Sequence, residues 1–209
     1  PAWDTGGMTT PHRKEPNLLA QGLVVNGGLV ALMWVLEAID QVTWHSLDQY
    51  GVSPRRASEL GDIFLAPWLH IGWGHLISNS VPFLVLGVLI YLSGSMRYLV
   101  TLLVTIVVSG LTVWLISPPY SQTLGASGIV FGFLTYLLVR GLFTRSVSQI
   151  LLSIVVFAVY GGVLWGVLPT QVGVSWQAHL GGAGGGVLAA WLMHARRGRE
   201  QAGKAQWTA

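Results

Sequence analysis

Six apolar runs alternate with polar connections along this chain. They cover about Leu18 to Leu36, Leu76 to Leu92, Tyr98 to Ile116, Ser127 to Leu142, Val147 to Leu168 and Ala178 to Met193. Each approaches the roughly 20 residues a helix needs to cross the hydrocarbon core of a bilayer. The pattern predicts an all-α, polytopic membrane protein. Its six-helix membrane domain spans residues 18–194, between polar tails at 1–17 and 195–209. The fourth and sixth runs are short and glycine-rich, which suits helices enclosed by other helices. The connection from Glu37 to Gly74 is too long for a simple link. It carries Asp40, Asp48, Glu59, Asp62, Trp44, Trp68 and Trp73, and is expected to fold against the membrane interface.

Composition sharpens this picture. Of 209 residues, 52% are hydrophobic and only 9% charged, outside the range of ordinary soluble domains. The absence of cysteine excludes disulfides, thiolate metal sites and a cysteine nucleophile. A net charge of +3 is spread over the connections, so it reads as a topology signal and not as a nucleic-acid footprint. The first residues are polar and proline-bearing, and no cleavable signal peptide is expected. Arg13, Lys14, Arg97, Arg140, Arg145, Arg196, Arg197, Arg199 and Lys204 fall on one side of the six runs, and only Arg55 and Arg56 on the other. That asymmetry predicts a multi-pass protein of the plasma (inner) membrane with both termini cytoplasmic.

The candidate chemistry starts at Gly125-Ala126-Ser127-Gly128, where a hydroxyl flanked by glycines opens the fourth run. Helix rise places Ser127 about 20 Å from Arg140, hence in the outer half of the bilayer. The same ruler puts His179 about 25 Å and Asn79 about 27 Å from the inner face. His179 is the candidate base, because a serine hydroxyl is a poor nucleophile until a neighbour takes its proton. The run His179-Leu180-Gly181-Gly182-Ala183-Gly184-Gly185-Gly186 carries overlapping Gly-x-x-x-Gly patterns, so Gly182 and Gly186 would let this helix approach another closely. His75 and Asn79 are one turn apart and offer donors for a developing oxyanion, with the Ser127 N–H as a third. In isolation His75 and Asn79 read more readily as interfacial caps, and His70 as a structural hydrogen-bonder. No Asp or Glu occurs between Asp62 and Glu200, which excludes aspartyl and His-Glu-x-x-His zinc protease chemistry within the spans. A serine hydrolase built here must therefore work as a Ser-His dyad without metal or cofactor.

These residues resemble the rhomboid intramembrane serine proteases over about Leu18 to His194. The family's His-x4-His-x3-Asn falls on His70, His75 and Asn79, its Gly-x-Ser-Gly on Gly125, Ser127 and Gly128, and its Ala-His-x2-Gly-x3-Gly on Ala178, His179, Gly182 and Gly186. The resemblance implies that Ser127 is the nucleophile, His179 the general base and then acid, and His75 and Asn79 the oxyanion donors. It implies transmembrane protein substrates, cut after a small residue in or next to a helix that unwinds easily. The loop Pro169–Gln177 and the fifth span would form a cap and lateral gate, and the site would open to the outer face. Many family members carry tyrosine four residues after the serine, where it stacks on the imidazole. Phe131 occupies that position here, without the hydroxyl, which implies reduced or altered activity at most. Two other readings stand beside this one. An inactive rhomboid-like protein would bind or escort membrane clients without cutting them, and a small transporter would use the polar pocket as a pathway. The missing carboxylates and the lack of an internal repeat count against the transporter.

Overall fold

The computed structural model describes residues 17–170 and 173–206, with side chains up to residue 193. The tail expected at 1–17 lies outside the described residues apart from Asn17, and of the tail at 195–209 only the backbone to 206 lies within them. Six long helices form the bundle: α1 (Leu18–Val42), α3 (Trp73–Tyr91), α4 (Ser95–Ile116), α5 (Ser127–Thr144), α6 (Val147–Tyr160) and α7 (Trp176–Gln206). A single-turn helix, α2 (Asp62–Leu65), lies in the connection after α1. A 3-10 stretch, Gly161–Val167, continues α6. Five of these, α1, α3, α4, α5 and α6 with its continuation, are long and apolar enough to cross a membrane by length and composition. The glycines, Gln177 and His179 make α7 less apolar, and it packs against α4 and α5.

Helix α1 runs beyond the expected end at Leu36 to Val42. The polar residues that ended the apolar pattern are buried inside the protein and hydrogen-bonded there, with one oxygen of Glu37, Oε2, left without a partner. Glu37 is 1% exposed and accepts from the Gln41 amide at 2.8 Å. Asp40 is 2% exposed and accepts from the Leu47 N–H at 2.7 Å, with His45 Nδ1 at 3.1 Å from its other oxygen. Buried acids with such partners extend a helix instead of breaking it.

The connection from α1 to α3 is folded, through 3-10 turns at Asp48–Tyr50, Ala57–Glu59 and Ala66–Trp68 around α2. It is tied to the α4–α5 link by an isolated antiparallel bridge, with Val52 N–H donating to Thr123 O at 2.8 Å and Thr123 N–H to Val52 O at 3.2 Å. Arg55 caps the end of α4. Its guanidinium donates to Leu115 O at 3.2 Å and Ser117 O at 2.9 Å, where the last carbonyls of a helix lack intrahelical partners.

Glycine sets the contact of α7 with both of its neighbours. A Cβ at Gly182 would fall on the Gly128 carbonyl oxygen, and one at Gly186 on the Gly132 carbonyl oxygen. The adjacent stripe faces α4, where a Cβ at Gly181 or Gly185 would lie 2.9 Å from the Cα of Ser109 or Thr105. Helices this close need small residues at the contact. Polar side chains stitch the seam: Ser109 Oγ donates to Ala178 O and Thr135 Oγ1 to Ala183 O, both at 2.8 Å.

Candidate active site

Ser127 is the first residue of α5, so its backbone N–H is among those left without an intrahelical acceptor. The chain reaches it through a fixed approach. Gly125 N–H donates to Ala66 O at 2.9 Å, and Ala126 N–H donates to His70 Nε2 at 3.3 Å. Gly125 has φ +119°, a conformation open to glycine, and a Cβ there would strike the His75 imidazole. Glycine at this position is what allows His75 to sit beside the entry to α5.

His70 acts as an acceptor, so it must be neutral. Burial, reinforced by neighbouring His75, pushes its pKa from 6.5 down to about 3, which keeps Nε2 unprotonated. The His70 and His75 rings stand edge to face, with centroids 5.1 Å apart. His70 thus holds the segment that presents Ser127, in line with the structural reading of its sequence position.

His179 lies in the first turn of α7 and is fixed on two sides. Phe131, four residues after Ser127 on α5, stacks on the imidazole with centroids 4.1 Å apart and planes 8° from parallel. Nδ1 lies 2.8 Å from the carbonyl oxygen of Gly166, in the 3-10 continuation of α6. A carbonyl can only accept, so Nδ1 carries a proton, and in the neutral ring Nε2 keeps its lone pair. That is the tautomer a general base requires. A carboxylate would do the same in a triad; here a backbone carbonyl supplies the function without a buried charge.

Ser127, His75 and His179 line one cavity of about 700 Å³. Its walls include Ser121, Gln122 and Thr123 from the α4–α5 link and Ser175 and Gln177 at the start of α7, so polar groups are plentiful. No hydrogen bond joins Ser127 to His179 among the described residues; catalytic pairs without substrate are often loose. Asn79 does not line this cavity. It is buried one turn behind His75, and its amide donates to the His75 carbonyl at 3.0 Å, leaving its second N–H. Gly128, Gly182 and Gly186 sit in the α5–α7 seam. The cap loop is described only outside residues 171 and 172.

Gly166 is the residue of the candidate site that sequence reasoning missed. Its contribution is a backbone oxygen, which leaves no side-chain signature. The one available signal is the cluster Gly161, Gly162 and Gly166 within an apolar span. A Cβ on Gly166 would come within 2.9 Å of Phe131 Cζ and 3.0 Å of His179 Nδ1, so the stacked pair leaves no room for a side chain.

The Rhomboid domain family matches residues 57–196. An uncharacterised protein of Mycobacterium tuberculosis is 40% identical over 195 residues, covering 90% of this chain and 81% of its own length. One from Mycobacterium bovis matches to the same extent. A third, from Mycobacterium leprae, is 44% identical over 174 residues, covering 79% of this chain and 69% of its own. With five helices apolar enough to span a bilayer, a domain match over most of its length and relatives at this identity, the chain is a multi-pass membrane protein belonging to the rhomboid family.

Proposed function

We propose that this protein is an intramembrane serine endopeptidase acting through a Ser127–His179 dyad. The observation that carries the reading is the imidazole itself, stacked on Phe131 and bonded through Nδ1 to Gly166 O, so that Nε2 is the free basic nitrogen in the cavity it shares with Ser127. Ser127 Oγ attacks the carbonyl carbon of the scissile peptide while His179 Nε2 takes its proton. The oxyanion is met by the Ser127 N–H and by His75, with Asn79 contributing its second amide N–H once substrate draws it forward. His179 then protonates the leaving amine, the acyl-enzyme forms, and a water activated by the same nitrogen releases the second product.

The substrates are transmembrane proteins with a small residue before the cut, as the resemblance of the three motifs to those of rhomboid proteases implies. Both termini face the cytoplasm and the cavity opens to the outer face of the plasma membrane, the orientation supported by the distribution of basic residues. Labelling by a serine-reactive fluorophosphonate in detergent tests the reading. Wild type is expected to label and Ser127→Ala not to. Equal labelling of the two, or none of either, would point instead to a client-binding protein without proteolysis.

A further inference from the structure

A second cavity, of about 150 Å³, lies at the end of α5 remote from Ser127 and is lined by Ser93, Arg97, Tyr136, Arg140, Thr144 and Ser146, among others. Tyr136, Arg140 and Thr144 are spaced by four and form one stripe of α5. Ser93 sits in the turn between α3 and α4, Arg97 in the first turn of α4, and Ser146 in the turn between α5 and α6. Two connections and the helix ends beside them thus bring two guanidinium groups and several hydroxyls to one hollow.

Among the described residues no carboxylate pairs with these guanidiniums. Arg140 is 3% exposed; it donates to Ser93 Oγ and lies over the Tyr136 ring at 5.8 Å, yet its Nε is buried with no hydrogen-bond partner. Arg97 donates to the Ser93 carbonyl. The sequence has no Asp or Glu between Asp62 and Glu200, and among the described residues the ion pairs all lie between 40 and 59. A cation held this far from solvent is expensive without a counter-charge.

We propose that this cavity binds a phosphate group. The two guanidiniums each keep N–H groups beyond the one given to Ser93, and Ser93, Thr144 and Ser146 line the same hollow. They suit a tetrahedral oxyanion, which guanidinium recognises by paired hydrogen bonds. The volume is several times the roughly 30 Å³ a water molecule occupies, enough for one phosphate. Two sources carry that chemistry: the headgroup of an anionic phospholipid, or inorganic phosphate. The inference is independent of the protease reading, because the site sits at the opposite end of α5 from Ser127.

The test uses the full chain purified in uncharged detergent. Native mass spectrometry would follow binding of dioleoylphosphatidylglycerol and dioleoylphosphatidylcholine, and thermal unfolding would follow inorganic phosphate at constant ionic strength. Arg97→Gln is the main variant because Arg97 is only half-buried; Arg140→Lys, which keeps the charge and loses the fork, is the second. Retention of phosphatidylglycerol over phosphatidylcholine by wild type, weakened roughly tenfold or more in Arg97→Gln, supports a lipid headgroup site. Stabilisation of wild type by inorganic phosphate, absent in Arg97→Gln and without lipid preference, supports a site for the free ion. If wild type and Arg97→Gln respond alike to all three probes, the cavity holds only water and the proposal fails. Wild type gives that answer by itself, should either variant not fold, if it neither prefers phosphatidylglycerol nor gains stability from phosphate.

Discussion

Replacing Gly166 by alanine should disarm the base while leaving the nucleophile in place. The new methyl would stand 2.9 Å from Phe131 Cζ and 3.0 Å from His179 Nδ1, well inside ordinary van der Waals contact. Phe131 is 2% exposed and stacked flat on the imidazole, so neither ring can step aside without breaking the stack or the 2.8 Å bond to Gly166 O. The bond is neutral in the resting state and becomes charge-assisted when His179 takes the serine proton. The difference between those two kinds of hydrogen bond is about 1–1.5 kcal/mol. That corresponds to about a tenfold slower reaction. The measurement is the second-order rate of fluorophosphonate labelling, with Ser127→Ala as the zero. Gly162→Ala is the control, because a Cβ at Gly162 meets nothing within 4 Å in the same stretch. Wild-type labelling by Gly166→Ala, or an equal loss in Gly162→Ala, would refute the assignment of the Gly166 carbonyl.

Two further outcomes follow from the packing and the titration of named groups. Gly182→Ala puts a methyl on the Gly128 carbonyl oxygen and should cost about 1–3 kcal/mol or more, whereas Gly184→Ala, with open space around its Cβ, should be neutral; thermal unfolding in detergent separates them. His70 should make stability fall as pH drops from 6.5 towards 3. Folded His70 resists protonation down to about 3 while the unfolded chain takes the proton near 6.5, so its contribution is complete above 6.5. Within that window the slope is about 1.4 kcal/mol per pH unit. His70→Gln, whose amide oxygen accepts from Ala126 at any pH, should flatten the curve, and an unchanged slope would overturn this account.

The long helices were legible because apolar length is a direct physical requirement for crossing a bilayer, and α4 and α5 begin within three residues of the expected starts. The end of α1 was not, since Glu37 and Asp40 look like loop residues until their internal partners are known. The same ambiguity touched Asn79. A spacing of four residues places two side chains on one face, but it equally lets the second bond back to the carbonyl of the first, which is what Asn79 does here. The close approach of α5 and α7 could be read from their glycines because a missing side chain is visible in a sequence. The partner of His179 could not, because every residue offers a carbonyl and only the path of the chain decides which one arrives.

Helix α6 is the outlier of the bundle, with 6% of its apolar window buried, yet its continuation supplies the oxygen that steadies His179. The most loosely seated rod therefore acts as a lever on the most demanding atom. Any tilt of α6 reaches the imidazole through Gly166, whereas α7, wedged backbone to backbone between two neighbours, has no freedom to follow it.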